Sequence, residues 1–230
     1  MLRFDAFESL GLTCACISEK SDGDFARGAS AEDLAHFRGA CGLAAADLAL
    51  VRQVHRRGVA VVDAEGEPDC VGVRDLGEAD ALVGDASGVA LGIRVADCVP
   101  VYLYDPENRA VGLVHAGRMG TLQGVVANAV RNMGSRYGAE PSALHALIGP
   151  SAGPCCYEVS VDMAKDFINK GLSVDGRHID LWASNARQLV DCGVPASQIE
   201  QSEICTICDG RFHSHRAESN AGRNLALLAL

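Results

Sequence analysis

The sequence predicts one α+β domain over residues 1–230, with helices flanking a largely antiparallel or mixed sheet. Three observations carry that prediction. Eight short apolar runs read as strands, four amphipathic stretches begin at residues suited to cap a helix, and the turns within 80–115 are too short for helical crossovers. No linker, composition shift or internal repeat marks a boundary.

The first helix pattern begins at Ser30, with Asp33 in capping-box-like spacing, and Leu34, Phe37 and Cys41 share a face until Gly42. Strand-like runs follow at 48–54, 58–63, 80–84, 88–95, 99–104 and 110–115. Asp85-Ala86-Ser87-Gly88 and Asp105-Pro106-Glu107-Asn108 supply the turns, so 80–115 is expected to form a mostly antiparallel meander rather than a doubly wound parallel sheet. Thr121 is placed to cap a helix whose Leu122, Val125, Val126, Ala129, Val130 and Met133 form one stripe, closed by Gly134 or Gly138. After a strand at 143–149, Ser160 caps a helix carrying Met163 and Phe167 towards Gly171. Asp180 caps the next, through Trp182, Ala186 and Leu189 to Gly193, and a last strand runs over 223–229.

Hydrophobic residues make up 48% of the chain and charged ones 22%, which is the balance of a soluble globular protein. Aromatics are few, so Ala, Val, Leu and Gly must fill closely layered elements. A net charge of −10 argues against nucleic acid as a partner, since phosphate backbones are bound by clustered Lys and Arg. The clusters Arg52…Arg56-Arg57 and Arg211…Arg216…Arg223 read instead as local anion contacts or surface. No apolar run approaches the roughly 18–20 residues of a membrane helix, so no membrane partner is expected. Asp5 and Glu8 stand where a signal peptide would be basic and then apolar, which predicts a cytoplasmic protein.

Ten cysteines without regular spacing read as thiols rather than a disulfide scaffold. Cys205-Thr206-Ile207-Cys208 has the two-residue spacing of a zinc knuckle, with Cys14-Ala15-Cys16 the pair able to complete four ligands; the alternative is small buried thiols.

His55, Cys98 and His115 each stand where a strand-like run ends, and strand ends deliver side chains to one rim of a sheet. Two imidazoles and a thiolate make a zinc set with an open fourth position; the alternative is two core histidines and a buried cysteine. Gln53 points to the same side as His55 in an extended chain, and so would bind a ligand or orient that ring; the alternative is a half-buried polar residue of the strand. Asp97 alternates away from Cys98, so a role as general base needs a bend, which Pro100 would supply; the alternative is a turn residue or one that supports the site from behind. Asp80 is placed to accept the free N–H of a bound histidine or to cap a turn. His213 and His215 lie on one side of an extended segment but give only two ligands. Seven histidines with a single His-X-His cannot furnish a multicopper cluster, so zinc is the expected cofactor and copper at most an adventitious occupant of the same site.

Six ordered motifs carry a resemblance: Arg-Gln-Val-His (52–55), Asp-Ala-Leu-Val (80–83), Ala-Asp-Cys-Val-Pro-Val (96–101), Val-His-Ala-Gly (114–117), Ile-Gly-Pro-Ser-Ala-Gly-Pro-Cys-Cys-Tyr-Glu-Val (148–159) and Phe-His-Ser-His-Arg…Ala-Gly-Arg (212–223). From about residue 45 to the C-terminus the chain resembles the YfiH-like family, variously labelled laccase-like polyphenol oxidase, peptidoglycan editing factor and purine nucleoside phosphorylase/adenosine deaminase. The resemblance implies a layered α/β/β/α fold with its site in a cleft at the sheet rim. It implies that His55, Cys98 and His115 are the zinc-binding catalytic triad, and that purine nucleosides and phosphate are the small-molecule partners. Arg118, Arg216 and Arg223 lie within family motifs and join Gln53 as candidate substrate-binding residues, and Cys155-Cys156 would line the pocket.

Two departures bear on specificity. The family usually reads His-Ala-Gly-Trp-Arg-Gly, whereas here it is His115-Ala116-Gly117-Arg118-Met119-Gly120, which removes an aromatic face on which a base could stack; Tyr157 or Phe212 would have to replace it. The family's Ser-Leu-Asn-Leu loop is also missing, with residues 14–24 in its place. The same residues leave room for other functions: a cysteine hydrolase editing peptidoglycan precursors with Cys98 as nucleophile and His115 as base, a copper polyphenol oxidase, or a non-enzymatic binding protein.

Overall fold

The computed structural model describes residues 1–69 and 72–230. Its strands are organised mainly into two mixed six-stranded sheets packed face to face. The first runs β1 (Leu2–Arg3), β2 (Cys14–Ile17), β14 (Asn224–Ala229), β7 (Val89–Val95), β3 (Asp47–Arg52), β5 (Val73–Glu78). The second runs β13 (Ile199–Gln201), β10 (His145–Ile148), β8 (Val99–Asp105), β9 (Ala110–Ala116), β6 (Ala81–Gly84), β4 (Val59–Val62). A short antiparallel pair, β11 (Val174–Asp175) and β12 (His178–Ile179), stands apart.

Alternation along the strands explains the layers. Between the sheets, Ile17, Ala49, Val51, Leu91, Ile93, Ala226 and Leu228 of the first pack against Leu82, Tyr102, Tyr104, Val111 and Leu113 of the second. The outer face of the first sheet is covered by α2 (Ala31–Ala40) through Leu34, Phe37 and Cys41. The outer face of the second is covered by α4 (Val125–Tyr137), α5 (Val161–Asn169) and α6 (Leu181–Asp191). On α4, Val125, Val126, Ala129, Val130 and Met133 are buried, and each of its valines contributes about 1.5–3 kcal/mol by leaving water. This is the α/β/β/α arrangement that the resemblance implies.

All eight strand-like runs are strands, and three caps act as read. Ser30 accepts from the Asp33 amide at 3.0 Å, Ser160 from Met163 at 3.3 Å and Asp180 from Ala183 at 2.9 Å. Two expectations are corrected. The 80–115 segment is no continuous meander: β6, β9 and β8 pair antiparallel, but β7 crosses to the other sheet, antiparallel to β14 and parallel to β3. Thr121 caps nothing; it lies inside a short helix, α3 (Arg118–Leu122), and Gly124, at φ 72°, breaks the chain before α4 begins. The N-terminal β2, the polar edge strand β5 and the short β1, β11, β12 and β13 carry no alternating signal in sequence. The remaining helices, α1 (Asp5–Glu8) and α7 (Thr206–Asp209), are single turns.

Candidate functional site

The chain passes from the first sheet to the second three times at one rim, from β3 to β4, from β5 to β6 and from β7 to β8. The first and last of these passages carry a non-glycine residue in left-handed backbone conformation. Between β3 and β4 it is His55, at φ 58°; between β7 and β8 it is Asp97, at φ 79°. Such a conformation costs of order 1 kcal/mol or more unless neighbours compensate it. At the first passage the compensation is Asp80, 0% exposed, whose carboxylate accepts the amides of Val54, His55 and Arg56 at 3.3, 2.9 and 2.7 Å. At the last, Asp97 Oδ1 accepts from Thr206 Oγ1 and Oδ2 from the Arg216 amide, both at 2.7 Å. The bend at Cys98 is therefore made by Asp97 itself, not by Pro100, which lies inside β8. Both Asp97 oxygens are held by protein donors, so this carboxylate braces the turn.

These two turns meet the end of β9. His55, Cys98 and His115 offer ligand atoms that all lie within 4.8 Å of one another, and the imidazole centroids are 4.9 Å apart at 81°. The β8–β9 register, Val99 opposite Ala116, brings Cys98 beside Gly117. A Cβ at Gly117 would fall 2.8 Å from Cys98 Sγ and 3.4 Å from His55 Cδ2, so only glycine lets the backbone pass this close to the three donors. His115, 3% exposed, hydrogen-bonds through Nδ1 to Asp80 Oδ1 at 2.9 Å, which leaves Nε2 for the cleft. Asp80 thus does what its position in sequence suggested, and it also holds the His55 turn.

Burial works against charge on Cys98, but His115 and His55 outweigh it and draw the thiol down to about 6. Burial likewise opposes a charged His115, yet Cys98 and Asp80 raise it to about 9. Burial alone would raise Asp80, whereas His115 and the Arg56 and His55 amides hold it below the usual carboxylate range. Two nitrogens and a sulfur at this spacing, one imidazole oriented by a carboxylate, fit a zinc-type ion by donor chemistry.

The donors open into a cleft of about 1050 Å³. Arg27, Arg52, Arg94, Arg118, Arg216 and Arg223 line it with His215, Met119 and Tyr157, and Asp97 is the one carboxylate among the described lining residues. A cationic cleft in a chain of net charge −10 is a local design for an anion. The arginines are not equally free. Arg52 pairs with Glu78 at 2.5 Å, and Arg94 donates to the Phe25 carbonyl at 2.8 Å. Arg216 donates to the Glu158 carbonyl at 3.0 Å and lies over the Tyr157 ring at 5.2 Å. Arg223 donates to Ala221 and Gly222 carbonyls at 2.7 and 2.9 Å. Arg118 differs: its Nε is buried with no hydrogen-bond partner.

Several expectations change here. Gln53 lines the cleft, but its amide donates to the Arg94 carbonyl at 2.7 Å and accepts the Arg94 amide at 2.9 Å, so it clamps β7 rather than orienting His55. His213 is turned away, its Nε2 bonded to the Gly23 carbonyl at 3.0 Å. Phe212 is 0% exposed in the core between the sheets and presents no ring to the cleft; Tyr157 does. Cys14 and Cys16 gather with Cys41, not with Cys205 and Cys208. Cys155 and Cys156 do not line this cleft; they are the residues that meet Cys205 and Cys208. Thr206, Arg27 and Arg94 were not legible as site residues, because nothing local distinguishes them.

A family model described as multi-copper polyphenol oxidoreductase laccase matches residues 20–230. The chain belongs to that family. It is 36% identical over 195 residues to a purine nucleoside phosphorylase of Corynebacterium glutamicum, covering 82% of this chain and 76% of that one. It is 34% identical over 191 residues to an adenosine deaminase from an unknown prokaryotic organism, covering 77% and 72%. Its fold matches the crystal structure of the Bacillus licheniformis hypothetical protein YfiH at a TM-score of 0.81 and 27% identity, over 94% of this chain and 92% of that one.

Proposed function

We propose that this chain is a purine nucleoside enzyme, acting by phosphorolysis of adenosine, inosine or methylthioadenosine and by deamination of adenosine, with zinc held by His55, Cys98 and His115. The observation that carries the reading is the convergence of these donors in a cleft lined by six arginines. The names of the relatives supply the purine. Zinc in such a set supplies Lewis-acid chemistry and draws the pKa of water toward about 7.

The chain's own residues divide the remaining work. Asp80 orients His115 and pins the turn that carries His55. Arg118, with a buried and unpartnered Nε, is placed to bind phosphate. Tyr157, backed by Arg216, offers the face on which a base would stack. In phosphorolysis a phosphate oxygen bonds to ribose C1′ as the bond from C1′ to the base breaks. In deamination water adds at C6 of adenine and ammonia leaves. Neither nucleic acid nor a membrane enters this reading; among the described residues no helix is long and apolar enough to cross a membrane.

The test is turnover of adenosine and inosine with and without phosphate by the wild type and by Cys98→Ala. We expect phosphate-dependent release of base, ammonia from adenosine, and a loss of at least about a hundredfold in the variant, since removing even the hydrogen-bond partner of a metal ligand costs about 10–100-fold. Equal activity in both proteins rejects the site. The low pKa of Cys98 beside two imidazoles favours a second reading, a cysteine hydrolase acting on cell-wall precursors. Stoichiometric zinc in the cleft supports the first reading; metal-free protein alkylated and inactivated at Cys98 supports the second.

A further inference from the structure

Cys155 and Cys156, on the turn after β10, meet Cys205 and Cys208 at α7, and all four Sγ atoms lie within 4.8 Å of one another. All four are free thiols. The Cys155–Cys208 Sγ distance is 3.9 Å, close to the ~3.8 Å edge of a sulfur tetrahedron built on Zn–S bonds of about 2.3 Å.

The backbone is arranged around this meeting. Gly153 donates its amide to Cys205 Sγ at 3.2 Å, and the Ile207 and Cys208 amides face the same sulfur. A Cβ at Gly153 would fall 2.7 Å from Trp182 Cη2 and 3.0 Å from Cys205 Cβ, so glycine is what lets the turn close onto Cys205. Adjacent side chains point apart in a strand, but here the amides of Cys156 and Tyr157 both donate to the Gly153 carbonyl at 3.0 Å, and the tight turn brings Cys155 and Cys156 to one side.

We propose that Cys155, Cys156, Cys205 and Cys208 bind one zinc ion as a closed tetrathiolate, a site distinct from the His-Cys-His cleft. Four thiolates select a tetrahedral, sulfur-seeking ion, and a filled coordination sphere leaves no position for substrate. The work of such a site is mechanical. It ties the 149–158 loop to the 205–209 turn, already bridged where the Ser151 amide meets the Ile204 carbonyl at 3.1 Å and the Thr206 amide meets the Ser151 carbonyl at 3.0 Å. Tyr157 follows the second ligand directly, and Thr206, between the other two, braces Asp97. The clasp therefore holds two parts of the cleft wall from behind.

Elemental analysis of full-length protein, purified with reductant and without chelator, tests this. Cys155→Ser with Cys208→Ser should hold one zinc fewer per chain than the wild type, and Cys98→Ala should keep that zinc, whatever the cleft binds. Cobalt-loaded Cys98→Ala should show the intense sulfur-to-metal charge-transfer bands of a tetrathiolate, absent when Cys155→Ser and Cys208→Ser are added. Both of these thiols are exposed, so serine there leaves the core intact. The wild type gives an independent reading: Cys155 and Cys208 should resist iodoacetamide until a chelator is added. Equal zinc in wild type and double variant, iron in place of zinc, a Cys155–Cys208 disulfide, or free alkylation of both thiols in the purified wild type would each overturn the assignment.

Discussion

Two of the three cysteine-containing clusters among the described residues, the His-Cys-His set and the four-cysteine set, are assembled by the same means but differ in their donors and surroundings. Each joins segments distant in sequence, and each depends on a glycine, Gly117 or Gly153, whose Cβ would meet a cysteine. The cleft set mixes two imidazoles with one thiol, orients a buried histidine through a carboxylate, and opens toward arginines. The four-cysteine set has only sulfur and uses backbone amides in place of a carboxylate, and its four thiols would by themselves fill a tetrahedral ion's coordination sphere. A donor set that keeps one side open, in a cleft shaped for anions, suits chemistry on a substrate; a closed one suits holding two loops together.

That contrast can be broken in four ways. The largest effect is expected for Asp80→Asn, which removes the charge that orients His115 and anchors three amides. Metal retention in the cleft should weaken about 10–100-fold in chelator competition, with the four-cysteine zinc unmoved; parallel loss from both would show that Asp80 supports the whole fold.

Gly117→Ala comes next. Its φ of −73° suits any residue, so the change acts only through the Cβ pressed against Cys98. Overpacking costs typically 1–3 kcal/mol, so about a tenfold loss of cleft metal affinity is expected in the same competition, with Tm falling about 2–4 °C per kcal/mol lost. Unchanged affinity would mean that the backbone need not approach so closely.

For Tyr157→Leu, stacking on an aromatic is worth roughly 1–3 kcal/mol, so KM for adenosine should rise about fivefold or more while kcat changes less. An unaltered KM would place the base elsewhere in the cleft.

The smallest effect is a pH dependence of metal-stripped protein. The Cys98 pKa is depressed to about 6, so its contribution to stability is present above the unfolded thiol value and is lost as pH falls through about 6. The His115 pKa is raised to about 9, so its contribution is full below the unfolded imidazole value and is lost as pH rises through about 9. Thermal melts across this range should peak between the two values, with Tm falling about 2–4 °C per kcal/mol lost on either side. In the stripped Cys98→Ala variant the peak should flatten.

What the sequence determined by itself was local or periodic. Ser30, Ser160 and Asp180 were legible as caps because each cap hydrogen bond spans three residues. His55, Cys98 and His115 were legible because apolar runs end just before them and the family's motifs surround them. Tertiary structure decided what depends on non-local pairing. Strand β7 leaves its sequence neighbours because its ladder partners, β3 and β14, lie in the other sheet. Gln53 is claimed by the Arg94 backbone, 41 residues away. Asp97 is claimed by Thr206, 109 residues away, and Cys205 and Cys208 find Cys155 and Cys156 rather than Cys14 and Cys16. Periodicity reports which face of an element is apolar, but not which element will cover it. That choice is made when two sheets pack and their connecting turns are brought to one rim.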